Sequence, residues 1–151
     1  MTEISQLGVE DILAVHEAII AEDPNAEPGV RNRDAIESAL AYVLEGFFGQ
    51  VPETVHEKAA HLMRLLVSEH PFVDGNKRTA LNTVAVFYAL DEQYFAYDES
   101  VEDILIDFAT DADAVEIETV VDTFEHAARP LDDIDDQEIR AEVERLRSVV
   151  R

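Results

Sequence analysis

Within nine residues, "HPFVDGNKR" at positions 70 to 78 gathers an imidazole, a carboxylate, an amide and two cations. His70 is the one side chain there able to take a proton near neutral pH. Gly75 opens a helical apolar pattern, so Lys77 and Arg78 fall in a first turn, where the helix dipole disfavours a cation by roughly 0.3–1 kcal/mol each. An anion bound there would repay that cost. The free amides of a helix start, with Gly75 permitting close approach, form an anion cradle. Asn76, Lys77 and Arg78 turn the cradle into a phosphate clamp. Asp74 beside a phosphate calls for a bridging cation, and Mg²⁺ held by one carboxylate, water and phosphate oxygens is the usual answer. Base, metal ligand and clamp together point to transfer of a phosphate-containing group to a hydroxyl. A plain helix-loop-helix turn is the competing reading, with Phe72 in the core, Asp74 or Asn76 as an N-cap and two solvated cations paired with nearby acids.

The elements that must hold this loop read as helices. Val9, Ile12, Leu13, His16 and Ile19/Ile20 form one apolar stripe, and Ile36, Leu40, Val43 and Leu44 a second. Pro24, Pro28 and Gly29 separate them, and "EGFFGQ" at 45–50, with aromatics in want of a cover, marks a loop or short hairpin before the third helix. The third runs from about Glu53 to Glu69 and stops before Pro71; the fourth begins near Gly75. Ser100, with Asp103 three residues on, is a candidate N-cap for a fifth helix, and a sixth covers about Val115 to Ala128. No segment alternates like a strand. The fold class is therefore all-α, a compact bundle of about six helices in residues 1–129. Residues 130–151 form an acidic linker and an amphipathic helix from about Asp136 to Val150, packed on the same domain, with arginines at its end to suit the dipole.

With 34 Asp and Glu against 11 Lys and Arg, two of them lysines, the net charge is −23. Such acidity repels phosphate backbones and anionic lipid, so no nucleic-acid partner is expected and a basic partner fits better. Thirteen acids fall between residues 79 and 128 with no Lys or Arg there, which reads as adaptation to a molar-salt cytoplasm, where screening shortens self-repulsion to a few ångström. The absence of cysteine fits a reducing cytosol. Seven acids and no Lys or Arg in the first 30 residues, and no apolar run near the roughly 18 residues of a membrane span, predict a soluble cytoplasmic protein with no membrane partner.

"HPFVDGNKR" resembles the signature loop of the Fic/Doc family, H-x-F-x-D/E-G/A-N-G/K-R. The likeness extends to "AVHEAI", "EPGVRNRDAIESAL", the central "EKAAHLMRLLVSEHPFVDGNKRTALNTVAVFYAL" and "VVDTFEHAAR", covering about residues 4 to 129. It implies an all-helical fold, His70 as the base that deprotonates a target hydroxyl, Asp74 as the Mg²⁺ ligand, Asn76, Lys77 and Arg78 around the nucleotide phosphates, and Phe72 as a buried anchor. Lys77 stands where the adenylyl-transferring branch has a glycine, and Leu81 where it has a second arginine. Both departures resemble the Doc (death-on-curing) toxins, which bind ATP reversed and phosphorylate a threonine of a translation elongation factor. The resemblance further implies an antitoxin in trans, since no internal S/T-x-x-x-E-G/N inhibitory pattern occurs, although the C-terminal helix could cover the groove instead. A nucleotidyl transferase is the alternative, as is an idle module that binds nucleotide or antitoxin.

Other histidines carry less. His56 and His61 are five apart, about 140° around a helix rather than on one face. His16 reads as a hydrogen-bonded core residue, at a position where the resemblance also places a histidine. His126 reads as a surface residue, and Asn82 as a polar helix residue that could steady the loop.

Overall fold

Among the described residues six of the seven α-helices start with an acid in the first turn, and side-chain caps fix several of those starts. The computed structural model describes residues 7–46 and 52–150; four residues of "EGFFGQ", Phe47 to Gln50, lie outside that range. Helices α1 (Val9–Glu22), α2 (Arg33–Glu45), α3 (Val55–Ser68), α4 (Asn76–Leu90), α5 (Glu99–Asp111), α6 (Ile117–Ala127) and α7 (Gln137–Arg147) follow in chain order. Asn32 caps α2 by accepting from the Ala35 N–H at 3.2 Å. Thr54 and Glu57 form a reciprocal capping box on α3, each side chain accepting from the other's N–H at 3.0 Å. On α5 the cap is Asp98, not Ser100. Its carboxylate accepts from the Ser100 N–H at 2.9 Å and the Ser100 hydroxyl at 2.6 Å, so the helix begins two residues earlier than the capping-box pattern indicates.

The architecture is all-α. α3 and α4 form the central pair; α2, α5 and α6 pack on α3, and α1 and α7 pack on α4. Every residue from Val86 to Leu90 is buried, so the end of α4 is a core helix wrapped on all sides. Tyr88, Phe95 and Phe124 pack there ring to ring, with Tyr88 stacked on Phe95 at 5.0 Å. The buried Tyr88 hydroxyl meets His56 Nδ1 at 2.9 Å, which satisfies both polar groups.

Two strands appear that the sequence does not announce. β1 (Gln93–Phe95) pairs antiparallel with β2 (Ala128–Pro130), with Tyr94 opposite Arg129. Three residues are too few to show a period of two. The pair ties the start of the C-terminal segment to the turn after α4, and Arg140 Nη1 then donates to the Leu131 and Ile134 carbonyls, both at 2.9 Å. Ile134, Val143 and Leu146 are buried, so the tail contributes to the core. Past Arg147 the chain tightens into a 3₁₀ turn, Ser148–Val150. Among the described residues no helix is long and apolar enough to cross a membrane.

His61, half-buried on α3, lies edge-on to Tyr42 and within 3.3 Å of Arg64 Nη2 through Nδ1. Burial, then the Arg64 charge, hold its pKa below the usual 6.5, against a smaller opposing pull from Glu57. The unfolded chain therefore binds this proton more readily than the folded one. The His61 contribution to stability is fully present above pH ~6.5 and is lost as pH falls from there through the lower folded value. We expect His61→Gln to flatten part of the decline in urea midpoint between pH 7 and 5 at constant salt. An unaltered slope would show that other groups carry it.

Candidate active site

α3 ends at Ser68, and His70 then turns the chain with φ 48°, in the left-handed region. Pro71 cannot extend the helix. Phe72 plugs into the core at 1% exposure and stacks on the buried His16 ring, with centroids 3.8 Å apart and planes 7° from parallel. Four residues on, Asn76 grips Phe72 by its backbone: Oδ1 accepts from the Phe72 N–H and Nδ2 donates to the Phe72 carbonyl, both at 3.0 Å. From outside, residues 29–32 splint the loop. Arg31 and Asn32 donate their N–H groups to the Pro71 carbonyl at 2.7 and 3.0 Å, and Val73 donates to the Gly29 carbonyl at 3.1 Å.

His16 Nε2 lies 2.8 Å from the Asp74 carbonyl. A carbonyl only accepts, so Nε2 carries the hydrogen. The Asp74 carboxylate accepts from the Glu27 N–H at 3.2 Å through Oδ2 and from the Gly75 N–H at 2.7 Å through Oδ1. These bonds, the Glu27 one first, hold its pKa below the ordinary carboxylate value. Asp74 is thus an ionised acceptor with lone pairs to spare. Among the described residues no group of three or more His, Asp or Glu side chains converges, so a cation here would be held by Asp74 together with water and phosphate oxygens. That donor set fits Mg²⁺, which usually takes one or two carboxylates at phosphate sites.

Gly75, at φ 78° and ψ 19°, occupies the N-cap of α4 without a side-chain cap. A Cβ added there would stand 3.4 Å from Ile20 Cδ1 and 3.8 Å from Arg78 Nη2. It would be strained by its φ and would intrude on the cradle. The first intrahelical bond runs from the Thr79 N–H to the Gly75 carbonyl at 2.9 Å, which leaves the amides of Asn76, Lys77 and Arg78 unspent within the helix. α4 is the one described α-helix with no acid in its first turn. It carries Lys77 and Arg78 there instead, both exposed. Arg78 Nη1 pairs with Asp23 Oδ2 at 3.2 Å, whereas Lys77 has no partner among the described residues.

All six residues singled out from sequence, His70, Asp74, Gly75, Asn76, Lys77 and Arg78, line one cavity of about 270 Å³ that Val67 and Ala109 help close. His70 is exposed, and its ring makes no hydrogen bond to any described residue. An exposed imidazole, an ionised carboxylate, uncapped amides and two cations converge at one opening. His56 and His61 point to separate neighbours, Tyr88 and Arg64, and form no joint site. His126 is exposed, with Nδ1 on the Asp122 carbonyl. The Asn82 amide donates to the Arg78 carbonyl at 2.9 Å. Sequence reasoning did not assign Asp23, Glu27 or residues 29–32 to the site. Glu27 acts through its backbone N–H, which no side-chain pattern reports, and one acid among 34 carries no signal of its own.

A model of the Fic/DOC family matches residues 6–88, from just before α1 to near the end of α4, with the whole loop inside the match. No curated protein matches the chain.

Proposed function

We propose that this chain, which belongs to the Fic/DOC family, is a Mg²⁺- and ATP-dependent protein phosphotransferase of the Doc toxin type. The family's members are typically transferases that adenylylate or phosphorylate. The observation that carries the reading is the shared cavity: His70 stands free at its mouth while Asp74, the α4 amides, Lys77 and Arg78 line it.

In the reaction a Ser or Thr hydroxyl of the target attacks the terminal phosphorus of ATP. The new O–P bond forms as the bond to the bridging oxygen breaks, ADP leaves, and the hydroxyl proton passes to His70. Charge spread over the three non-bridging oxygens is met by the α4 amides, fixed donors that need no reorganisation, and by the side chains of Lys77 and Arg78. When bound at Asp74, Mg²⁺ supplies further neutralisation of the phosphate oxygens.

Two residues support terminal-phosphate transfer over adenylylation. Lys77 puts bulk and charge where the adenylyl-transferring branch has glycine, and Leu81, half-buried, packs on the core where that branch has a second arginine. The target we assign is a translation elongation factor, and the partner that restrains the enzyme is an antitoxin in trans.

The test uses ATP labelled at either the α or the γ phosphate, with Mg²⁺ and the host's elongation factor, in molar KCl as the net charge of −23 recommends. Label from the γ position on the factor, absent with His70→Ala, is the expected result. Label from the α position would replace the reading with nucleotidyl transfer, and nucleotide binding with no label from either would reduce the protein to a binding module.

A further inference from the structure

A separate groove of about 450 Å³ lies between α2 and α3 and reaches the loop that carries His70. The two helices run antiparallel. At the start of α2 the Asn32 N–H donates to the Pro71 carbonyl, and farther down the Tyr42 ring meets His61 of α3 edge-on. Asp34, Ser38 and Tyr42, four residues apart, line the α2 side over about 12 Å of helix. Ala39 and Leu65 add apolar lining.

Three charges line this groove, and among the described residues none of them is in an ion pair. Asp34 and Glu69 stand at the loop end, with Glu69 directly before His70. Arg64 lies five residues back from Glu69 on α3, about 7.5 Å along the axis. In a chain with 34 Asp and Glu, a half-buried guanidinium without a carboxylate calls for a reason. The Arg64 Nε is buried with no hydrogen-bond partner, and Nη2 donates at 3.3 Å to a neutral acceptor, His61 Nδ1. Arg64 is thus partly desolvated and still un-neutralised, the state in which a carboxylate binds most strongly. Arg31 and Arg33 do not line the groove, and Arg33 is spent on Glu10 and Glu37. The signs therefore run in a fixed order away from the loop, negative at Asp34 and Glu69 and then positive at Arg64.

We infer that the groove between α2 and α3 docks an extended segment of the protein substrate, with a basic side chain on Asp34 and Glu69 and a carboxylate on Arg64. An extended chain covers about 7 Å in two residues and turns alternate side chains to one face. The carboxylate therefore sits two residues beyond the basic side chain, on the side away from the acceptor hydroxyl. This rests on the reading that His70 meets a protein hydroxyl, and it adds what selects the protein. The net charge of −23 draws any basic segment, whereas the order of signs is read by the groove.

Four dye-labelled peptides test this by fluorescence anisotropy, without nucleotide and in molar KCl, where contacts inside a groove are screened less than exposed pairs. Each carries one Thr, one Lys and one Glu at alternate positions. Lys is nearer the Thr in one pair and Glu in the other, and each pair is made in both chain directions. The better Lys-near peptide should bind at least about tenfold tighter than either Glu-near peptide, as close-range misplacement of two charges predicts. Arg64→Met keeps bulk and removes the charge, and should erase most of that preference. Asp34→Asn combined with Glu69→Gln should do the same from the other end. Ser38→Phe fills the groove from an exposed position on α2 and should abolish binding of every peptide, which keeps the test intact if the Arg64 variant fails its thermal melt. Equal binding of the two orders, no binding at all, or a preference that survives these variants would overturn the inference. A preference that stands while neither the α nor the γ phosphate of ATP labels any peptide would sink the transferase reading, and with it the role of the groove in choosing a substrate.

Discussion

Replacing His70 by alanine is expected to lower the rate of phosphoryl transfer by about 10²–10⁴, the range a positioned general base supplies. The KM for ATP should stay within about twofold. On the proposed mechanism the two outcomes separate, because the one task of the ring there is to take the hydroxyl proton. His70 is exposed and makes no hydrogen bond to any described residue, so its removal opens no cavity and orphans no buried group. A surface change of this kind shifts stability by at most ~0.5 kcal/mol, or under about 2 °C in Tm for a domain of this size. The positive φ at residue 70 strains histidine and alanine alike. Lys77→Ala supplies the contrast: it removes a cation from the cradle and should raise KM. If His70→Ala instead melts several degrees lower, or raises KM with kcat intact, the residue holds the loop or the nucleotide, and another group takes the proton.

Most of the helical frame could be read from residue order because Pro and Gly fall where helices stop and apolar residues recur at helical spacing. The misses have local causes. Asp98 displaced Ser100 as the α5 cap because both are good cap residues two positions apart, and only the extended backbone at Asp98 decides between them. β1 and β2 escaped because a three-residue strand is shorter than the pattern that would reveal it. The candidate cluster could be picked out because His70, Asp74 and Gly75–Arg78 are contiguous, and two cations in a first turn are costly enough to demand a reason; the structure brings all six to one cavity. Their long-range contacts could not be read the same way. His16 is the hydrogen-bonded core residue its place on the α1 stripe indicates, but its bond to the loop, like those of Asp23 and Glu27 to Arg78 and the loop, spans 47 to 58 residues of chain, two of the three contacts involve a backbone group, and packing alone brings them near.

Asn76 separates a brace from a phosphate ligand in the proposed mechanism. Read from sequence it belongs to the phosphate clamp; in the structure its amide is spent on Phe72, Oδ1 on the N–H and Nδ2 on the carbonyl. One amide hydrogen remains, but the side chain is fixed by what it braces. We therefore expect Asn76→Ala to act through position. Phe72, anchored on His16, would lose both backbone partners, and the segment carrying His70 would loosen. A displacement near 1 Å costs about 10² in rate, so kcat should fall by about that factor while the KM for ATP, set by Lys77, Arg78 and the amides, moves no more than about threefold. The unpaired Phe72 N–H and carbonyl should also cost about 1–3 kcal/mol of stability. Asn76→Asp distinguishes brace from ligand. It keeps an acceptor for the Phe72 N–H but turns an oxygen toward the Phe72 carbonyl and adds an anion to the cradle, so kcat should fall and KM should rise together. Were the alanine variant to raise KM tenfold with kcat intact, Asn76 would be a phosphate ligand first, and the brace to Phe72 would be incidental to catalysis.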